Sequence, residues 1–315
     1  MTKTIISITM WTNYPKYLTP GDRVAVVSPS GALDPELIDE ACETLRKWRL
    51  VPVVGEYAKG KYGRFAGTDQ QRLQDLQWAM DDPTIAAILC GRGGYGVIRI
   101  VDQIDFSKFR ESPKWLIGFS DITALHARFV SEGFPSLHAV MARAIAHPEE
   151  NRSAVRKLKK ILFGDKMDYQ SVPKKSKYNR AGKAQGKLVG GNLSLIYALQ
   201  GTPYAVDAQN NILFVEDLSE RLYHIDRMVQ NLRLSGVFEK ISGLVVGQFS
   251  DIPKDPSFRQ TIEEIFLSAV GEREIPIVFN FPVGHVANNW PLVHGANVNL
   301  EVVCGEEKKV VLTEL

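Results

Sequence analysis

Four stretches of the chain place reactive side chains or bare backbone where a segment ends. The first is Trp115-Leu-Ile-Gly-Phe-Ser-Asp-Ile-Thr-Ala-Leu-His126, an apolar strand-like run that passes through Gly118-Phe119-Ser120-Asp121 into a helical pattern. A serine at such an elbow has its Oγ held above the sheet. The helix start behind it offers free N–H groups and a positive dipole end to an oxyanion. The spacing is G-x-S-x-x-T rather than G-x-S-x-G, so Ser120 is equally suited to N-cap the helix. The second stretch, Ile212-Leu-Phe-Val-Glu-Asp-Leu218, is a strand ending in two carboxylates. Such a pair either caps the next helix or puts one carboxylate where it orients a base. The third places His285 after the strand-like IVFNFPV and a glycine. His294, nine residues on, offers a second imidazole, but no third ligand lies nearby at helical spacing, which argues against a metal site. Ser120, Glu216 and His285 occur in the order serine, acid, histidine, each at a strand end. That order permits a catalytic triad without requiring one.

The fourth stretch, Gly91-Arg92-Gly93-Gly94-Tyr95-Gly96, matches G-x-G-x-x-G. A dinucleotide fingerprint opens its domain and has an acid closing the next strand about 20 residues later. Here the glycines follow the third or fourth strand, and Glu111 precedes the next strand instead of closing it. A plain flexible turn remains open, as does a loop whose bare backbone approaches a substrate and offers it N–H donors.

The elements that must position these groups alternate. Arg23–Ser28 reads as a buried strand, 35–48 as an amphipathic helix, 51–54 as a strand and 69–80 as a helix. Strands at 85–90 and 115–118 follow, then a helix from about Asp121 to Ser131. This alternation implies βαβ units and a parallel sheet covered on both faces, with ligands at the carboxyl ends of the strands. Between Asp168 and Asp207 no acid occurs, while Lys174, Lys175, Lys177, Arg180, Lys183 and Lys187 accumulate. Without sustained periodicity or interleaved aromatics, this stretch reads as a solvated crossover rather than a nucleic-acid patch. A second α/β region follows, with helices at 192–199, 222–234 and 258–269 and strands at 211–215 and 243–247. A hairpin turning at Gly305-Glu306-Glu307 ends the chain. The reading is therefore three segments: 1–165, a basic linker at 166–187, and 188–315.

Composition narrows the class. With 315 residues, 44% hydrophobic and 23% charged, the chain has the make-up of a globular protein of about two domains. A net charge of +2 gives no general pull toward nucleic acid or an acidic membrane. Three widely spaced cysteines fit neither a disulfide framework nor a cysteine zinc site, and suit a reducing cytoplasm. No apolar run reaches the roughly 18 residues of a membrane span, and the N-terminus lacks a signal-peptide cleavage pattern.

Taken together, CGRGGYG, WLIGFSDITALH, GKLVGGNLSLIYALQGTPY, ILFVEDLSERLYHIDRMVQNLRLSG and FPVGH resemble the LD-carboxypeptidase family of serine peptidases. That family includes cytoplasmic muramoyl-tetrapeptide carboxypeptidases and microcin C immunity peptidases. The resemblance runs from about Leu18 to the C-terminus. It implies an N-terminal Rossmann-like parallel-sheet domain, a C-terminal α/β domain of different topology, an active site between them, and a homodimer. It also implies a Ser120–Glu216–His285 triad that needs no metal or organic cofactor. The family often reads His-Gly-Pro where this chain has His138-Ala139-Val140, so His138 receives no role, and Asn288-Asn289-Trp290 has no clear counterpart. The implied reaction is cytoplasmic hydrolysis of the amide between an L-centre, lysine or a diamino acid, and the C-terminal D-alanine of a murein tetrapeptide. On this reading the oxyanion rests on the N–H groups of Gly94 and Asp121, and Arg92 holds a substrate carboxylate. Two rivals are cleavage of an aminoacyl-nucleotide amide and a non-catalytic nucleotide-binding protein.

Overall fold

The computed structural model describes residues 13–171, 177–305 and 309–315. In chain order the first part comprises β1 (Arg23–Val27), α1 (Pro35–Lys47), β2 (Val51–Val54), α2 (Asp69–Asp81), β3 (Ile85–Cys90), β4 (Trp115–Gly118), α3 (Thr123–Ser131), β5 (Ser136–His138), α4 (Ala142–Ala146) and α5 (Arg152–Leu162). The second comprises β6 (Asp168–Ser171), β7 (Gly182–Asn192), α6 (Leu193–Ala198), β8 (Ile212–Leu218), α7 (Leu222–Leu234), α8 (Val237–Lys240), β9 (Gly243–Ser250), α9 (Ile262–Val270), β10 (Ile277–Val278), β11 (Leu292–His294), β12 (Asn297–Val303) and β13 (Lys309–Glu314).

Two sheets form. The first has the order β11-β5-β4-β3-β1-β2. Its strands β1 to β5 are mutually parallel, so their carboxyl ends lie along one edge. The apolar run of β4 explains itself here: Leu116 faces one core with Ile122, Leu125 and Phe129, while Trp115 and Ile117 face the other with Leu45 and Ile161. Both faces are covered, as parallel strands require. The second sheet, β10-β9-β8-β7-β12-β13-β6, is parallel from β10 to β7 and antiparallel from β7 to β6. The fold is thus α/β, with a Rossmann-like parallel sheet followed by a mixed sheet of different topology.

Several elements depart from their sequence reading. Residues 182–187, expected as crossover, form the first half of the eleven-residue strand β7, paired to β12. Lys183 and Gln185 are exposed and alternate with the half-buried Gly182, Ala184 and Gly186, so polar residues hid a strand whose alternation is real. Lys174 and Lys175 of that basic stretch, the turn residues Glu306 and Glu307, and residues 1–12 lie outside the described residues. The strands of the terminal hairpin, β12 and β13, do pair antiparallel. β5 is too short for periodicity to reveal. The first sheet's outermost strand, β11, comes from far down the chain and pairs antiparallel with β5. One core then runs continuously from Leu137 and Val293 to Phe214 and Leu300, tying the two sheets together. Cys42 and Cys90 are buried and unbridged. Among the described residues no helix is long and apolar enough to cross a membrane.

Candidate active site

β4 ends at Gly118, and the chain turns into α3 through a single helical turn, Ser120–Ile122. Ser120 takes φ +64°, the left-handed region, which costs a residue with a Cβ about 1–2 kcal/mol. The N-cap of the turn is Phe119 and that of α3 is Ile122, so Ser120 does not occupy the capping position its sequence suggested. The strained backbone instead turns the side chain outward into a cavity of about 580 Å³. As an early residue of a helical turn, Asp121 has an N–H that the helix leaves unpaired. Its carboxylate is structural. It is buried and accepts hydrogen bonds from Ser30 Oγ at 2.5 Å and from the Val97 N–H at 3.0 Å. Burial raises its pKa against the pull of those two bonds and of the Arg72 and Arg64 charges. The elbow is thereby tied to the loop after β1 and to the glycine loop after β3.

The glycine loop lies directly against the serine. A Cβ on Gly93 would fall 2.8 Å from Ser120 Cβ and 2.9 Å from Oγ, so only glycine allows this approach. Gly94, at φ +120°, lines the same cavity. After Gly96 comes a three-residue turn, Val97–Arg99, and not the long helix on whose N-terminus a dinucleotide pyrophosphate rests. Replacing Gly93 with alanine is expected to displace the serine and cut kcat/KM by at least about tenfold, since a misplacement of about 1 Å can cost about 100-fold. Gly93 does not occupy the left-handed region, so the stability cost should be that of overpacking alone, about 1–3 kcal/mol, with the protein still folded. Peptide-hydrolysis kinetics and a melting curve on the same sample check both. Activity equal to wild type would mean that the loop is not in contact with Ser120.

Glu216 and Asp217 close β8 at an irregularity: Val215 pairs with Val246, but Asp217 pairs with Phe249. The two carboxylates face opposite ways, as neighbours in a strand do. Asp217 accepts from Asn192 Nδ2, the Ser194 N–H and Oγ, and its own strand's Leu218 N–H. Burial, followed by the Glu216 charge, pushes its pKa up to about 6. Glu216 is fully buried, and its Oε2 lies 2.7 Å from His285 Nδ1. A Cβ on Gly284, which has φ +124°, would sit 2.9 Å from Glu216 Cβ, so His285 can approach the carboxylate only after a glycine. The histidine loop is closed by Asn289 Oδ1, which accepts the Gly284 N–H at 2.9 Å, and by the Trp290 N–H bonded to Pro282 O. Trp290 itself packs on Tyr169 and Phe281 beneath the Lys157 ammonium. Asn289 and Trp290 therefore hold the loop in place.

A carboxylate bonded to Nδ1 requires the proton there, which leaves the lone pair of neutral His285 on Nε2. His285 lines the same cavity as Ser120, its ring 4.8 Å from that of Phe119. Burial lowers its pKa, but the bond and charge of Glu216, with Asp217 and Asp251 behind it, outweigh that and leave it raised. Arg92 also lines the cavity, its Nη1 donating to Ala32 O at 3.3 Å. The sequence reading missed Arg143, which lines the cavity from α4. Its only sequence signal is a cation shortly after a short strand.

His138 and His294 lie elsewhere, buried with His126 between the sheets. His126 stands 6.1 Å from His138 and 5.5 Å from His294, ring to ring. His294 Nε2 accepts the Gly190 N–H. Burial drives all three pKa values down, that of His126 to about 4. His294 and His285 are thus in different surroundings. Among the described residues no group of three or more His, Cys, Asp or Glu is arranged to hold a metal ion.

Comparison with known proteins identifies the family. The LD-carboxypeptidase N-terminal domain profile matches residues 24–139, and the LD-carboxypeptidase C-terminal domain profile matches residues 185–300. A protein of Bacillus subtilis (strain 168) named probable murein peptide carboxypeptidase is 35% identical over 90% of this chain and 90% of its own. The murein tetrapeptide carboxypeptidase of Pseudomonas aeruginosa is 29% identical over 85% of this chain and 90% of its own. The crystal structure of muramoyltetrapeptide carboxypeptidase from Oxalobacter formigenes superposes with a TM-score of 0.83 at 25% identity, covering 93% of this chain and 98% of that one. Matched across both of its halves, the chain belongs to the LD-carboxypeptidase family.

Proposed function

We propose that this protein is a serine carboxypeptidase that removes C-terminal D-alanine from free murein tetrapeptides, cutting after an L-lysine or a diamino acid. Ser120 Oγ attacks the scissile carbonyl while His285 Nε2 takes its proton and delivers it to the departing amine. Water, deprotonated by the same Nε2, then hydrolyses the Ser120 ester, releasing the shortened peptide and returning the proton to Oγ. Glu216 keeps the proton on Nδ1 and stabilises the imidazolium as it forms. The oxyanion is received by the N–H groups of Gly94 and Asp121. A substrate carboxylate has two guanidiniums within the cavity, Arg92 and Arg143, each able to hold it through paired hydrogen bonds. The reading carries with it a cytoplasmic homodimer in murein recycling, with neither nucleic acid nor membrane as partner. What supports it above all is the Glu216–His285 pair, 2.7 Å apart, in the cavity onto which the φ +64° elbow opens Ser120. The P. aeruginosa and O. formigenes relatives carry names that specify the same substrate class.

Stereochemistry tests the proposal. A triad does not choose L or D; the walls around the leaving group do. Inverting the terminal α-carbon exchanges methyl and hydrogen while the carboxylate must stay on its anchor, so the wrong epimer clashes or misplaces the carbonyl. Mass spectrometry should find D-alanine released from a free tetrapeptide ending in L-Lys-D-Ala. The L-Ala epimer and the D-alaninamide should each be at least about 100-fold poorer. Comparable cleavage of the L-Ala epimer would overturn the LD assignment. Faster hydrolysis of an aminoacyl-sulfamoyl nucleotide than of the tetrapeptide would favour the nucleotide-amide rival.

A further inference from the structure

The catalytic cavity does not end at Arg92. A second cavity of about 690 Å³ shares Arg92 and Gly94 with it and continues over the loops after β1 and β2. Its charged lining is Lys59, Lys61, Arg64 and Arg92 against one acid, Asp34. Asp34 accepts the Glu36 N–H as the cap of α1, and Lys59 is paired with Asp39. Arg64 lies over the Tyr95 ring at 5.7 Å, and among the described residues neither it nor Lys61 has a carboxylate partner. A hollow joined to a reaction site and lined by uncompensated cations is built for an anion.

Strand order gives the direction in which a substrate lies. Along the carboxyl edge of the first sheet the order β5, β4, β3, β1, β2 sets out, in turn, Arg143, Ser120, Arg92, the loop of Asp34, and Lys61 with Arg64. Arg143 follows β5, the strand next to that of the serine, while Lys61 and Arg64 lie on the loop after β2, which folds back over the loop after β1: Phe65 bridges Gly31, and the Ala32 N–H bonds to Arg64 O. An extended peptide covers at most about 3.6 Å per residue. A terminal carboxylate lies one residue from the scissile carbonyl, which suits Arg143. A group held by Lys61 and Arg64 lies on the other side of the serine from Arg143 and so belongs to the acyl part of the substrate, ahead of the scissile amide.

We propose that Lys61, Arg64 and Arg92 form an anion subsite for the acyl portion of the substrate, taking a carboxylate or phosphate ahead of the cut, while Arg143 takes the terminal carboxylate. The proposal rests on the carboxypeptidase reading above and adds to it a second recognised charge.

Tetrapeptides ending in L-Lys-D-Ala and capped at the N-terminus with acetyl, succinyl or phosphoacetyl groups test it, the last two separating a carboxylate from a phosphate. Wild-type kcat/KM should be about tenfold higher for at least one anionic cap than for acetyl, and rising salt should erode the difference. In the double variant Lys61→Ser, Arg64→Gln the anionic-to-acetyl ratio should fall to about one. Arg143→Gln should weaken all three peptides by a similar factor and leave the ratio standing. Binding of the same peptides to Ser120→Ala, measured by calorimetry, separates recognition from chemistry. Tighter binding of an anionic cap that the double variant abolishes supports the subsite even if no D-alanine is released, an outcome that would sink the carboxypeptidase reading. Equal binding and equal turnover of all three caps by wild type would overturn the subsite.

Discussion

Ser120→Ala is expected to abolish hydrolysis of the tetrapeptide, with a loss of at least about ten-thousand-fold in kcat, and to leave the protein folded. The size of the loss follows from the chemistry. Without Oγ there is no acyl intermediate, and neither His285 nor the oxyanion donors have a step to assist. That the fold survives follows from the site: Ser120 is not the cap of its turn, the side chain opens on a cavity, and alanine occupies the left-handed backbone at much the same strain as serine. The melting transition should therefore stay within about 1 kcal/mol of wild type. A fluorophosphonate probe should label the wild type and fail to label the variant. An alanine variant that keeps most of its activity, or a wild type labelled at a different serine, would remove Ser120 as the nucleophile and with it the triad.

Glu216→Gln is expected to lower kcat by about a thousandfold or more, because the amide no longer holds the imidazole with its proton on Nδ1 or stabilises the imidazolium. The pH profile adds a second, independent signature. His285 must be neutral to act as base, and in the wild type Glu216 is the main force raising its pKa against burial. Activity should accordingly fall on the acid side with a midpoint above the ordinary imidazole value of about 6.5. In Glu216→Gln burial acts with far less opposition, so the acid limb of the residual activity should move to lower pH. Asp217→Asn should behave differently. Its carboxylate serves the start of α6 through Ser194 and is held by Asn192, so the change should register mainly in stability, with kcat altered severalfold at most. A greater kcat loss at Asp217 than at Glu216 would reverse the assignment of the two carboxylates.

Much of this protein was legible from the residues in order. The buried strands at 23–27, 85–90 and 115–118 are short apolar runs whose two-faced burial follows from composition alone. The helices at 35–47 and 222–234 carry their own periodicity. Ser120 and Glu216 stood at the ends of such segments, while the strand-like run read before His285 is strand only at Ile277–Val278 and the rest of it is the loop that carries the histidine. Periodicity was silent where polar residues masked alternation, as in the first half of β7, and where a strand was only three residues long, as in β5 and β11. Other facts belong to no segment taken singly. The choice between Glu216 and Asp217 depends on which face of β8 meets the His285 loop, and that is set by the bulge against β9 and the closeness of Gly284. The approach of Gly93 to Ser120, the crossing of β11 onto the first sheet and the line of cations from Arg143 to Arg64 likewise depend on strand order. Sequence patterns record how each segment divides its side chains between core and water. Which segments become neighbours is decided by packing between residues hundreds of positions apart, and the spacing of the reactive groups comes from that packing.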